Sequence, residues 1–197
     1  MLRGSFHPGA ASLKLITLLQ LWRAKPLEAT PNLELDATHL LLRQIQEKLQ
    51  SCQETVATAE SCTGGLVATL LTELSGSSAS YVGGVSAYAN SVKMEILGVS
   101  PEDLSRFGAV SDTVAKSMAA GVRDRLGATY AIALTGIAGP SGGTVDKPVG
   151  TVYCGIASPG GEESVRLNLT GDRATVRRAA AFAALRLLGQ KLGIENS

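Results

Sequence analysis

Ser61 and Cys62 stand side by side in the segment Ala59-Glu60-Ser61-Cys62-Thr63-Gly64-Gly65. An apolar run, Thr55-Val56-Ala57-Thr58-Ala59, precedes it, and an amphipathic run, Leu66-Val67-Ala68-Thr69-Leu70-Leu71, follows. The pattern predicts a strand-to-helix turn, where free backbone N–H groups and the positive end of a helix dipole converge. Such a turn suits a nucleophile or an anion, because it can stabilise a phosphate or a tetrahedral oxyanion. Serine and threonine are also ordinary helix caps, so the same turn can be read as a cap alone. Cys62 competes with Ser61, since a thiol at a helix N-terminus has a lowered pKa. In an apolar stretch, however, a cysteine usually serves as a small packed residue.

A second cluster, Tyr88-Ala89-Asn90-Ser91-Val92-Lys93, lies at the end of a predicted strand. Strand ends are where ligands collect in open α/β sheets. Across a turn, Tyr88 and Lys93 can face one crevice. A serine nucleophile without histidine needs another base, and lysine or tyrosine can serve. The lysine would need its pKa brought down from about 10.4 by burial or by a nearby positive group. A solvated surface lysine is the plain alternative.

Glycine dominates the third cluster, Thr135-Gly136-Ile137-Ala138-Gly139-Pro140-Ser141-Gly142-Gly143, followed by Lys147-Pro148-Val149-Gly150. Its glycines allow close backbone approach to a ligand and supply N–H donors. The spacing is GxxGxxGG, which is neither a Walker A loop nor GxGxxG. In the fourth cluster, Gly171-Asp172-Arg173, with Arg177 and Arg178 one turn on, can bind phosphate or carboxylate. It reads equally as a helix start capped by Asp172, with exposed arginines.

The two histidines, His7 and His39, both precede this region, which argues against a Ser-His-Asp triad and a histidine-ligated metal. Cys52, Cys62 and Cys154 have neither disulfide-framework nor zinc spacing, and a reducing cytosol fits them. A formal net charge of +1, without a basic stripe, gives no case for nucleic acid. Ser61 lies in neither an S-x-x-K pattern nor a G-x-S-x-G elbow.

The elements that must position these groups follow from periodicity. Ala37, Leu40, Leu41, Ile45 and Leu49 have helical spacing. Strands are expected over Thr55–Ala59, Tyr81–Tyr88, Tyr130–Leu134, Val149–Ile156 and Ser164–Leu169. The last two are joined by the Pro159-Gly160-Gly161 turn as an antiparallel pair. Helices are expected over Gly64–Leu74, Val92–Leu97, from Ser100-Pro101-Glu102-Asp103, from Ser111-Asp112-Thr113 to Leu126, and over Arg173–Leu192. Alternating elements ending in a hairpin and a helix predict a three-layer α/β/α sandwich with a mixed central sheet. The Ala-rich stretch Ala179–Ala184 suits close packing on a partner helix, and from it comes the expectation of a homodimer. Residues 1–34 read as a basic extension, disordered or mis-annotated rather than targeting, with a run from Leu13 to Trp22 too short to span a membrane. Residues 35–197 form the expected domain.

Taken together, the motifs resemble one family. They are Ala59–Gly65, Gly83–Lys93, Leu97-Gly98-Val99, Gly108-Ala109-Val110-Ser111, Thr135–Pro140, Lys147–Val152 and Gly171-Asp172-Arg173. In this order, over about residues 36–192, they are similar to the CinA C-terminal domain family, the nicotinamide mononucleotide deamidases. The resemblance implies a cytoplasmic, metal-free serine amidohydrolase without a cofactor. It would convert nicotinamide mononucleotide to nicotinate mononucleotide and ammonia in pyridine nucleotide salvage. Carried over by motif, Ser61, Tyr88 and Lys93 are the catalytic residues. Ser61 would attack the carboxamide carbon, and Lys93, directly or through Tyr88, would take its proton. N–H groups of Thr63, Gly64 and Gly65 would form the oxyanion hole. The loop containing Thr135, Gly136, Gly139 and Gly143, with Lys147, would hold the ribose phosphate, unless that sits at the Ser111 helix start. Glu60 would orient the lysine or the substrate. Many relatives carry a further N-terminal nucleotide-binding domain, so a stand-alone deamidase is expected here. A non-catalytic nucleotide-binding or competence-related module is the alternative.

Overall fold

The computed structural model describes residues 33–194. The extension expected over residues 1–34 falls almost wholly outside them. The chain begins with helix α1 (Leu33–Ser51), strand β1 (Val56–Glu60) and helix α2 (Leu66–Leu71). After a short 3-10 turn come β2 (Tyr81–Ser86), α3 (Asn90–Glu95), α4 (Pro101–Phe107) and α5 (Asp112–Leu126). Strands β3 (Tyr130–Gly136), β4 (Thr151–Ser158) and β5 (Gly161–Asn168) and helix α6 (Arg173–Lys191) complete it. The sheet order is β2-β1-β3-β4-β5. Strands β2, β1 and β3 are parallel, and β4 and β5 are added antiparallel. A mixed sheet between two helical layers is the predicted architecture.

Period two along the strands sorts the two faces. Val56, Ile132, Leu134, Val152, Cys154 and Ile156 point to one face, where α1, α2 and α6 pack. Ala57, Ala59, Ala131, Ala133 and Ala157 point to the other, against Val114, Met118, Ala119 and Val122 of α5. The alanine face is flat, so α5 sits close upon it. At Gly155 a Cβ would be driven into the main chain at Ala115. This close packing accounts for a chain rich in alanine and poor in aromatics.

Two expectations are corrected in detail. The buried spine of α1 is Leu42, Ile45 and Leu49, whereas Leu40 is exposed. Helix α2 starts at Leu66 and ends at Leu71, shorter than the run predicted for it. The small residues of α6 have an intrachain explanation: Ala180, Ala181 and Ala184 are wholly buried in the chain's own core. Among the described residues, no helix is long and apolar enough to cross a membrane.

Topology gathers the functional candidates at one edge. The C-terminal ends of the parallel strands β1, β2 and β3 point the same way. Strand β1, lying between its two successors, is the switch point where a crevice opens. The Ser61 turn leaves β1 there, the Tyr88 segment leaves β2, and the glycine-rich loop leaves β3. Strand β5 runs antiparallel to β4 and so ends at that edge too, delivering Arg173 at the start of α6.

Candidate active site

Glu60 is the last residue of β1, and its strand phase turns it toward α2. Its carboxylate is almost fully buried. Oε2 accepts from the N–H groups of Gly65 (3.0 Å) and Val67 (3.1 Å), and Oε1 from that of Ala68 (2.8 Å). The cap of α2 is therefore supplied by the preceding strand. Gly65, the residue at the N-cap position, has φ +94° and offers no side chain. The chain turns there through two residues of left-handed conformation, Gly64 (φ +63°) and Gly65, which favours glycine at both.

This frees Ser61 from capping. Its N–H donates to Leu134 O (2.9 Å), fixing the turn to β3. Its Oγ lies 3.1 Å from Lys93 Nζ and has no other hydrogen-bond partner among the described residues. Lys93 comes from α3, which begins at Asn90, and its side chain is 1% exposed. Nζ also donates to Ala87 O (2.8 Å) and Tyr88 O (3.2 Å). No carboxylate forms an ion pair with it among the described residues. Burial holds the ammonium below the ordinary lysine pKa.

The valence of a neutral amine fits this cage. As an ammonium, Nζ donates to both carbonyls and to Ser61 Oγ; as a neutral amine it keeps the two carbonyls and turns its lone pair to the Ser61 hydroxyl. Burial favours the neutral form, in which the lone pair faces the Ser61 hydroxyl.

Cys62 is buried, and burial pushes its thiol up to about 11, with the charge of Glu60 adding to the effect. At neutral pH it is a thiol, which is the form that does not attack. Cys154, behind it in the core, is pushed up to about 12 by burial.

The Tyr88 side chain is 65% exposed, and its hydroxyl accepts from Arg173 Nη2 (3.1 Å). No hydrogen bond joins that hydroxyl to Ser61 or Lys93 among the described residues. Tyr88 meets Lys93 through its main-chain carbonyl. Arg173 Nη1 also donates to Gly139 O (3.0 Å), so one guanidinium ties the glycine-rich loop to the tyrosine. Asp172 caps α6, accepting from the Thr175 N–H (2.8 Å). One turn on, Arg177 Nη2 donates to Thr63 O (2.7 Å). Arg173 and Arg177 were undervalued in the sequence, although a spacing of four on a helix sets both toward the same crevice.

The remaining candidates are occupied by one connection, Phe107–Ser111, between α4 and α5. Lys147 Nζ donates to Phe107 O (2.8 Å), Ser111 Oγ to Gly108 O (2.9 Å) and Thr135 Oγ1 to Ala109 O (2.7 Å). Ser111 Oγ also caps α5. Gly136 and Gly139 lie against β4 and the approach to it: a Cβ on either would come 2.6 Å from Val152 or Val149 respectively. At Gly143 it would lie 2.8 Å from Val149 N. Among the described residues no group of three or more His, Cys, Asp or Glu is placed to hold a metal ion.

A model of the CinA C-terminal domain matches residues 38–192. A CinA-like protein of Trichormus variabilis is 54% identical over 151 residues, 75% of this chain and 36% of that protein. One from Anaeromyxobacter dehalogenans is 52% identical over 141 residues, 72% of this chain and 35% of that protein. The chain thus spans a little over a third of the length of these curated relatives. Among solved structures, a competence/damage-inducible protein from Agrobacterium tumefaciens superposes with a TM-score of 0.77 at 38% identity, covering 85% of this chain and 99% of that one. A CinA superfamily protein from Escherichia coli gives 0.77 at 34% identity, covering 83% and 94%. With the family model matching residues 38–192 and relatives more than half identical over about three quarters of the chain, the chain belongs to the CinA C-terminal domain family.

Proposed function

We propose that the chain is a serine amidohydrolase that converts nicotinamide mononucleotide to nicotinate mononucleotide and ammonia. The observation that carries this reading is the contact of 3.1 Å between Lys93 Nζ and Ser61 Oγ, made by a buried lysine without a carboxylate partner. A lysine in that setting is a base, and the hydroxyl it faces is a nucleophile.

The steps follow from the geometry. Lys93 takes the Ser61 proton as Oγ bonds to the carboxamide carbon. The carbonyl oxygen, now an anion, is met by N–H groups of the turn. Gly65 N–H is committed to Glu60. Gly64 N–H, like those of Cys62, Thr63 and Leu66, has no acceptor among the described residues; its peptide is the one held from the carbonyl side, by Arg177 on Thr63 O, and we assign it to the oxyanion. As the C–N bond breaks, the Lys93 ammonium gives its proton to the nitrogen, and ammonia leaves. Water then attacks the acyl-enzyme with Lys93 as base. The carboxylic acid departs, and Ser61 regains its proton.

Two features support a phosphorylated substrate. Arg173 is exposed at the rim, with N–H donors beyond those given to Tyr88 and Gly139. The exposed ring of Tyr88 beside it offers a face for a flat heteroaromatic group. Ser111 has its one hydroxyl donor engaged with Gly108 O, and Lys147 gives one of its N–H groups to Phe107 O; the exposure of Arg173 at the rim beside Tyr88 favours it as the phosphate partner. A phosphate held at the start of α2 would share that place with the Glu60 carboxylate, which weighs against a binding module built on the Ser61 turn.

The test is ammonia release from nicotinamide mononucleotide in EDTA, with the wild type beside Ser61→Ala. Release by the wild type alone is the expected result. A folded wild type that releases none overturns the reading.

A further inference from the structure

A trans peptide unit is planar, and its C=O and N–H point in opposite directions. Thr63 O and Gly64 N–H are the two ends of one such unit. Arg177 Nη2 donates to the carbonyl end at 2.7 Å, the shorter side of an N–H···O bond. The other end is Gly64 N–H. The next peptide unit is held as well, since its Gly65 N–H donates to Glu60 Oε2 at 3.0 Å. Gly64 is therefore gripped on both sides, by a cation on the preceding peptide and by an anion on the following one. At φ +63° on a glycine, with no side chain to restrict it, these two contacts are what choose the orientation of the Thr63–Gly64 plane.

We propose that Arg177 is a positioning residue of the reaction. It sets the Thr63–Gly64 peptide so that Gly64 N–H faces the developing oxyanion, and it strengthens that donor. The inference rests on the amidohydrolase reading of Ser61 and Lys93. Two effects are combined. The bond to Thr63 O removes the rotational freedom a glycine peptide would otherwise have. A charged donor on a carbonyl also polarises the amide, and hydrogen bonds in a chain reinforce one another. Because Arg177 acts through the peptide, its contribution appears where charge builds on the substrate oxygen and not in ground-state binding. Arg173, four residues earlier on α6, is the exposed member of the pair and is free to meet the substrate itself. The half-buried Arg177 is committed to main chain.

The experiment is steady-state kinetics on nicotinamide mononucleotide for Arg177→Met and Arg177→Lys, with ¹⁵N–¹H spectra of each. For Arg177→Met, kcat is expected to fall about tenfold or more, with KM changed less than about twofold. Arg177→Lys keeps a charged donor and is expected to recover most of kcat. In the spectra, the Gly64 amide proton moves upfield in Arg177→Met, while that of Gly65, still held by Glu60, stays. A KM that rises with kcat unchanged would mean that Arg177 binds the substrate directly, and the proposal fails. An unmoved Gly64 resonance also overturns it. Should Arg177→Met not fold, Arg177→Gln, with a neutral donor, carries the same two readouts. A wild type that releases no ammonia removes the amidohydrolase reading, and the Gly64 shift then decides the positional claim by itself.

Discussion

Lys93 Nζ and Ser61 Oγ are 3.1 Å apart although 32 residues separate them in the chain. The contact spans two parallel strands. Ser61 leaves the end of β1, and Lys93 sits one turn into the helix that follows β2, so the register of β1 on β2 fixes the distance. Moving either strand by one residue would break it.

Replacing Ser61 therefore removes the group that Lys93 faces. Ser61→Ala is expected to lower kcat for ammonia release by at least ~10³-fold while the protein stays folded. Cys62→Ala is expected to keep the rate within about threefold, because its thiol, pushed up to about 11, is protonated at neutral pH. An active Ser61→Ala that thiol alkylation silences would transfer the nucleophile to Cys62.

Lys93 dictates the pH dependence. Its folded-state pKa is lowered from 10.5, so kcat/KM rises with pH along a limb centred below that value. In Lys93→Met the limb disappears with the activity. Stability has a definite sign as well. Between the lowered folded-state pKa and 10.5 the unfolded chain binds more protons than the folded one, so stability rises with pH. Below that window both states are protonated, and the cost of burying the charge is present in full. Urea titrations across this range should show the slope in the wild type, and Lys93→Met should lose it.

Glu60 is a stability residue on this geometry. Glu60→Gln puts an amide nitrogen against N–H donors, and about 2–3 kcal/mol of stability should be lost on denaturation. A midpoint shift near zero would mean that water replaces the carboxylate without cost.

On the proposed reading Arg173 meets the substrate phosphate. Arg173→Ala should raise KM for the phosphorylated substrate about tenfold, equivalent to ~1.4 kcal/mol. The corresponding unphosphorylated nucleoside should be affected little. Equal losses on both would remove Arg173 from the phosphate.

The alanine face of the sheet leaves no room for growth. Gly155→Ala is expected to cost about 3 kcal/mol, since the added carbon meets the α5 backbone at Ala115. Thermal melting of the purified variant measures this directly.

How much of this was legible in the sequence depends on how local each signal is. The five strands and the hairpin were readable because period-two runs and a Pro-Gly-Gly turn are contiguous. Ser61, Tyr88 and Lys93 could be picked as residues, and Lys93 could be named as base, but the closeness of Lys93 to Ser61 depends on strand register. That Tyr88 contributes a carbonyl to Lys93, and gives its hydroxyl to Arg173, was not readable. A sequence does not show which carbonyl a side chain finds; Lys147 finds Phe107, 40 residues away. Glu60 was the reverse case. Its strand phase could have pointed it at α2, had the helix start been placed at Leu66. Leu40 was put on the buried face of α1 because helical spacing alone does not distinguish it from Leu42, and packing against the sheet does.

The seat of Glu60 at the head of α2 also bears on the fate of the product. Amide hydrolysis leaves a carboxylate where a neutral group entered. A bare helix N-terminus beside the nucleophile would attract that anion and slow its departure. Here the N–H groups of Val67 and Ala68 already serve the Glu60 carboxylate, so on the proposed amidohydrolase reading those donors are closed to the new anion. On that reading, the residue that caps the helix also favours release of the product over its retention.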